Sequence, residues 1–125
     1  MSGIVLLVDD DDNVRTVAKA MLEKVGLRVL LANDGREAVD LFRLHADEIA
    51  CVLLDLTMPQ MDGEETCCEL QRIQSGVPII LCSGYSEQDA LKRFVGEGLA
   101  GFVHKPYRMA ELAGAVRRAL ERSGR

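Results

Sequence analysis

Short apolar runs alternate with longer amphipathic segments from one end of the chain to the other. Five runs of five or six residues are almost continuously apolar, at positions 4–8, 27–32, 50–54, 77–82 and 99–103. Unbroken runs of this length are typical of strands that lie in a parallel sheet and are covered on both faces. The pattern therefore predicts five strands.

The segments that follow these runs carry apolar residues at helical spacing. In the first segment they occur at i, i+3, i+4, i+7, i+8 and i+11: Val14, Val17, Ala18, Met21, Leu22 and Val25. Residues at this spacing fall on one face of a helix. The other four predicted helices carry Ala38, Leu41 and Phe42; Cys67, Leu70 and Ile73; Leu91, Phe94 and Val95; and Met109, Leu112, Ala113, Val116 and Leu120.

Five strand–helix repeats predict a single α/β domain over residues 1–125. Parallel strands need crossover connections, so the helices should cover both faces of the sheet. Among the common doubly wound orders, the flavodoxin-like (βα)5 order 2-1-3-4-5 suits five strands. Ligands of such sheets bind beyond the carboxyl ends of the strands where the winding direction reverses, here between strands one and three.

Composition and charge exclude several classes of function. The chain has 125 residues, 48% of them apolar, which is enough for one domain with its own core. Its net charge is −5 and no basic stripe is present, so we expect no direct nucleic-acid binding. The apolar runs are far shorter than the ~20 residues of a membrane span, and the N-terminus lacks a cationic targeting segment. We expect no membrane insertion and a cytoplasmic location.

The cysteines are predicted to be small apolar fillers, a usual role for free cysteine. Their spacing suits neither a disulfide framework nor a zinc site. They are Cys51, Cys67, Cys68 and Cys82.

Chemically active side chains follow four of the predicted strands. Asp9 and Asp10 follow strand one, Asp55 ends strand three, Ser83 ends strand four and Lys105 follows strand five. Parallel strands point the same way, so these groups should gather at one edge of the sheet. Clustered carboxylates repel one another unless a cation offsets them, and Mg²⁺ prefers such hard oxygen ligands. A lysine that faces the cluster suits a phosphoryl group.

Three further acidic residues are interpreted differently. Asp11 and Asp12 are expected at the solvated start of the first helix, with Asp12 as its N-cap. Asp34 follows strand two, at the edge of the sheet, and should have no role in the site.

Four motifs together resemble the receiver domain of two-component response regulators, a family that includes the single-domain chemotaxis regulator. The resemblance covers essentially the whole chain. It rests most on the Asp-x-x-Met-Pro-x-Met-Asp-Gly string that begins at Asp55, followed by Lys105-Pro106-Tyr107. The other motifs are Leu6-Leu7-Val8-Asp9-Asp10 and Ile80-Leu81-Cys82-Ser83-Gly84. Ser83-Gly84-Tyr85-Ser86 together with Lys105-Pro106-Tyr107 is most similar to receivers of hybrid sensor histidine kinases.

The resemblance implies a site with defined roles. Asp55 would accept a phosphoryl group from a phosphohistidine on a histidine kinase or a histidine phosphotransfer domain. Asp10, Asp55 and the Thr57 backbone carbonyl would bind Mg²⁺, with Mn²⁺ as the alternative ion, and Asp9 would hold a metal-bound water. Lys105 and Ser83 would contact phosphoryl oxygens, and the Lys105–Pro106 peptide bond would be cis.

The resemblance also implies an output. Ser83 would move toward the phosphoryl group and Phe102 would turn inward, which alters the face made by the fourth predicted helix, strand five and the last helix. Many family members have tyrosine in place of Phe102. Thr57 and Tyr85 would flank the path of the hydrolytic water, with Tyr85 slowing autodephosphorylation. The output would go to a downstream protein or to the rest of the same chain.

Three other functions remain as alternatives. A flavin-binding module would need a phosphate-binding loop after strand one, where four aspartates would repel phosphate. An aspartate-nucleophile phosphatase would need a second acid where Thr57 stands. A degenerate receiver that acts as a scaffold would not need the complete set of site residues. The sequence is compatible both with a single-domain regulator and with a piece of a hybrid histidine kinase.

Overall fold

A computed structural model of the protein describes residues 3–56, 63–84 and 99–122. Within these residues, five parallel strands form one sheet in the order β2-β1-β3-β4-β5. The elements along the chain are β1 (Ile4–Val8), α1 (Asp12–Lys24), β2 (Arg28–Ala32), α2 (Gly35–His45), β3 (Ile49–Asp55), α3 (Gly63–Ile73), β4 (Ile79–Ser83), β5 (Leu99–His104) and α4 (Met109–Arg122).

The three central strands account for the unbroken apolar runs. Every residue of β1, β3 and β4 is buried, because helices cover both faces of the sheet at these positions. The edge strands β2 and β5 are only partly buried. The predicted fold class and strand order are confirmed. The predicted helix around Leu91, Phe94 and Val95 lies outside the described residues.

Helix α1 begins differently from the prediction. Its N-cap is Asp11 and not Asp12: the Asp11 carboxylate accepts hydrogen bonds from the backbone N–H groups of Asn13 and Val14. Asp12 is the first helical residue. Val17, one of the residues on the predicted apolar face of α1, is 49% exposed. Asp34 is the N-cap of α2 and donates no group to the site.

Two apolar cores lie on the two faces of the sheet. The first is built around Phe42 of α2 and Leu70 of α3, and the second around Leu22 of α1 and Val116 of α4. Three of the cysteines fill these cores as predicted, but Cys68 is exposed, because its position on α3 faces away from the sheet. No helix in the described ranges has the length and apolar character that a membrane crossing requires.

Candidate functional site

Three carboxylates meet at the carboxyl edge of the sheet. Asp9 follows β1, Asp10 is next to it, and Asp55 is the last residue of the neighbouring strand β3. One oxygen atom from each of the three side chains lies within 4.8 Å of the other two. Asp9 and Asp55 are buried, whereas Asp10 is exposed. The cluster is therefore open to solvent on the side of Asp10.

One ammonium group faces this cluster. Lys105 Nζ lies 2.6 Å from Asp9 Oδ2 and 3.1 Å from Asp55 Oδ1. Burial lowers the pKa of Lys105, but the two carboxylates outweigh that effect and raise the pKa above its ordinary value. The side chain is thus held as a cation. The Lys105–Pro106 peptide bond is cis.

Asp9 is fixed by its neighbours on three sides. Its backbone N–H donates to the Ala32 carbonyl across 3.1 Å, and its Oδ1 accepts from the Asp11 N–H across 2.9 Å. The other carboxylate oxygen, Oδ2, is buried and lies 2.6 Å from the Lys105 ammonium, which donates to it. Both carboxylate oxygens of Asp9 therefore have a partner, which fixes the orientation of this side chain in the cluster.

The site has an excess of negative charge that suits a divalent cation. Three carboxylates face a single ammonium, so two negative charges are not balanced by the described residues of the cluster. The donor atoms are all carboxylate oxygens, and the exposed side of the cluster leaves room for water. Mg²⁺ is commonly held by one or two carboxylates together with water and phosphate oxygens. The residues present therefore fit this ion.

Ser83 is also brought to this edge. It is the buried last residue of β4, and its carbonyl accepts a hydrogen bond from the Lys105 N–H across 2.8 Å. This hydrogen bond joins the last residue of β4 to the residue that follows β5. Phe102 lies one strand further out on β5, is partly buried and packs against the first apolar core. Thr57 and Tyr85 lie outside the described residues.

Tyr107 and Cys82 form a contact that the sequence pattern does not predict. Burial raises the pKa of Cys82 to about 12, so its thiol stays protonated, and the Tyr107 hydroxyl is hydrogen-bonded to it. Burial, followed by the nearby Cys82, raises the pKa of Tyr107 as well. A single sequence does not indicate this contact, because a cysteine in the core and a tyrosine in a loop are both common.

A shallow apolar groove of about 210 Å³ opens beside the Lys105 side chain. Its walls come from the first turns of α1 and from the loop after β5. The lining residues are Asn13, Val14, Val17, Lys105, Pro106 and Tyr107. Val17 belongs to the apolar face of α1, and its position in this groove explains why it is exposed.

The chain is similar to known signalling proteins. A family model described as "Response regulator receiver domain" matches residues 5–117. Regulatory protein AtoC of Escherichia coli (strain K12) is 36% identical over 118 residues, which make up 94% of this chain and 25% of AtoC. Sensor kinase CckA of Brucella abortus (strain 2308) is 33% identical over 121 residues, which make up 97% of this chain and 13% of CckA. The chain therefore spans a quarter or less of these two relatives.

A solved structure extends the similarity to the fold. A chain in the crystal structure of the CheX–CheY–BeF3–Mg²⁺ complex from Borrelia burgdorferi aligns with a TM-score of 0.85 and 28% identity. The alignment covers 91% of this chain and 86% of that chain.

Proposed function

The chain belongs to the family of response regulator receiver domains, and from this premise we propose that Asp55 accepts a phosphoryl group from a phosphohistidine. Receiver domains are the signalling domains of two-component systems, so the proposal concerns which residues act here and how. One observation supports it above the others: the Asp55 carboxylate lies in the same small space as two further carboxylates and the Lys105 ammonium.

The chemistry is a transfer between two nucleophiles. An Asp55 carboxylate oxygen attacks the phosphorus atom, the new O–P bond forms as the N–P bond breaks, and the electron pair of that bond returns to the histidine nitrogen. Such a transfer depends mainly on in-line positioning and on neutralising the three equatorial oxygens. Lys105, already within 3.1 Å of Asp55 Oδ1, supplies one positive charge.

The divalent ion would be held by the acidic cluster. Asp10, Asp55 and the Thr57 backbone carbonyl are the proposed direct ligands, and Asp9 would hold one of the ion's waters. The ion supplies charge neutralisation for the transferred oxygens. Asp9 also orients Lys105 through the 2.6 Å contact, so it links the acidic side of the site to the ammonium.

The output uses the two strand ends beside the acceptor. Ser83 lies at the end of β4 and would donate its hydroxyl to a phosphoryl oxygen. Phe102, two strands from Asp55 and only partly buried, would turn inward when Ser83 moves. The proposed roles of Thr57 and Tyr85 along the path of the hydrolytic water stay predictions, as does slow autodephosphorylation with no other turnover.

The phosphoryl donor would be a histidine kinase or a histidine phosphotransfer domain in the cytoplasm. The chain works either as a single domain over residues 1–125 or as a segment of a longer protein such as a hybrid kinase. A donor that brings a phosphohistidine to Asp55 must contact the rim of the site. The apolar groove beside Lys105 lies on that rim and suits an apolar helix side chain of the donor.

The groove can be tested by changing Val17 to aspartate. We expect phosphoryl transfer from the purified donor protein to slow by roughly tenfold, the effect of losing about 1.4 kcal/mol of docking energy. Labelling by acetyl phosphate should not change, because a small donor needs no docking. Leu44 is 76% exposed on α2, away from the groove, so Leu44→Asp is the matched control. Equal slowing by both donors would show that Val17 does not act through docking.

The proposed function itself is tested by labelling the protein with acetyl phosphate in Mg²⁺ and in excess chelator. We expect hydroxylamine-sensitive label that approaches one phosphoryl group per chain in Mg²⁺ and falls to background in chelator. A receiver domain stops at this stoichiometric label. Sustained turnover of a phosphate ester would instead indicate a phosphatase, and label that persists in chelator would contradict the metal's role.

A further inference from the structure

We propose that Arg15 is a positioning residue which holds the loop between β1 and α1 in the geometry that binds the divalent cation. The proposal rests on the proposed function, since it concerns the same acidic cluster. Arg15 is a buried cation that the phosphoryl chemistry does not use. It is 8% exposed, although arginine is seldom buried without specific partners.

The guanidinium group of Arg15 bridges the two ends of this loop. Its Nη1 donates to the Asp9 backbone carbonyl across 2.6 Å. Its Nη2 forms an ion pair with the carboxylate of Asp12, the first residue of α1. One planar group thus fastens Asp9, the residue that follows β1, to Asp12, the first residue of the helix. The segment between these two fastened points contains Asp10.

The other contacts that hold the loop centre on Asp11, whose carboxylate accepts from the N–H groups of Asn13 and Val14. The Asp11 N–H donates to Asp9 Oδ1, and the Asp11 carbonyl accepts from the Arg15 N–H across 3.0 Å. The side chain of Asp10 is exposed, so its position depends on the backbone on either side of it. A backbone held by Arg15 therefore keeps the Asp10 carboxylate close to those of Asp9 and Asp55 before the ion arrives.

Positioning and simple electrostatics predict opposite results for this residue. The positive charge of Arg15 repels a divalent cation, so its removal should tighten binding if charge alone mattered. If Arg15 acts by holding the loop, its removal should weaken binding, because the carboxylates must then be ordered when the ion binds. Lysine keeps the charge but is a single point donor that cannot reproduce the planar fork. Arg15→Lys and Arg15→Met therefore separate the two effects.

The experiment measures Mg²⁺ binding to the whole chain by isothermal titration calorimetry. We expect both Arg15→Lys and Arg15→Met to raise the Kd by on the order of ten- to a hundredfold, as for other partners that orient metal ligands. In the metal-free protein, hydrogen exchange of the Asp11 amide should become faster, because its acceptor on Asp9 is less well held. Thermal unfolding in chelator reports separately on any general loss of stability.

Arg72 provides the matched control. It forms an ion pair with Glu69 across 2.9 Å at the same i, i+3 spacing, but on α3 and with a 75% exposed side chain. Arg72→Lys should leave both the Kd and the Asp11 exchange rate unchanged.

Asp12→Ala tests the bridge without changing Arg15. It removes the exposed carboxylate that pairs with the guanidinium group. We expect it to raise the Kd several-fold at both low and high salt.

The outcomes separate failure of this inference from failure of the proposed function. If the unchanged protein does not bind Mg²⁺, the proposed site itself is wrong, and no variant is needed to show it. If the unchanged protein binds and Arg15→Met binds equally or more tightly, the positioning role is overturned. If the effect of Asp12→Ala disappears at high salt, long-range charge explains it and the bridge does not. A raised Kd in both Arg15 variants with an unchanged Arg72 variant supports the proposal.

Discussion

The Asp55→Asn protein will take up no hydroxylamine-sensitive phosphoryl group from acetyl phosphate or from a phosphohistidine donor. An amide oxygen is a poor nucleophile, and Asp10 and Asp9 cannot replace Asp55 if they are occupied by the ion and by Lys105. The label should therefore fall to background under conditions in which the unchanged protein is labelled stoichiometrically. The measurement is the amount of phosphoryl group per chain after a fixed labelling time in Mg²⁺.

The same substitution should leave the fold intact. Asp55 is buried beside two like charges and one opposite charge, so a neutral amide relieves more repulsion than the attraction it loses. In chelator we expect the variant to unfold at the same temperature as the unchanged protein or at a higher one. Added Mg²⁺ should stabilise the variant less than the unchanged protein. Asparagine is a weaker ligand for the ion than aspartate, and an ion that binds the folded protein less tightly stabilises it less.

Asp34→Asn is the control for this experiment. Asp34 follows the edge strand β2 as Asp55 ends β3, but it caps α2 and takes no part in the cluster. Asparagine caps helices about as well as aspartate does, so the stability should hardly change. If Asp34→Asn is fully labelled while Asp55→Asn is not, Asp55 is the phosphoryl acceptor. Substantial label on Asp55→Asn would mean that another carboxylate accepts the phosphoryl group.

The fold was predictable because strands buried on both faces produce continuous apolar runs in this sequence. The strands β1, β3 and β4 are buried along their whole length, and all their residues are apolar except the last of β3 and of β4, Asp55 and Ser83. The parallel strand order then brings the charged residues at the carboxyl ends of β1, β3 and β5 to one edge of the sheet. The convergence of Asp9, Asp55 and Lys105 needed no knowledge of side-chain conformation, only of strand order.

Details that depend on individual hydrogen bonds were not predictable. Four consecutive aspartates offer several N-caps, and the choice of Asp11 follows from a backbone conformation that composition does not reveal. Val17 has the spacing of a core residue, yet α1 turns it toward the groove. Arg15 has the same sequence appearance as an exposed helical arginine. Its burial depends on the carbonyl of Asp9, which has no signature in the sequence.

Replacing Lys105 with methionine should move metal binding and phosphorylation in opposite directions. Lys105 Nζ is the one cation within ion-pair distance of the cluster among the described residues. Without it, the carboxylates carry one more unbalanced negative charge. We expect the Kd for Mg²⁺ to fall by about tenfold, which corresponds to ~1.4 kcal/mol of additional attraction. Calorimetric titration of the variant measures this change.

Phosphorylation of the same variant should become slower despite the tighter metal binding. The ammonium that would neutralise an equatorial oxygen in the transition state is lost, and such groups contribute on the order of a hundredfold to the rate. Initial labelling rates at saturating Mg²⁺ isolate this effect from the change in Kd. Lys19→Met is the control, because Lys19 pairs with Glu23 on the surface of α1 at 2.9 Å. If Lys105→Met lowered both metal affinity and rate, the residue would act by holding the site together. Tighter binding with slower transfer assigns its charge to the phosphoryl group.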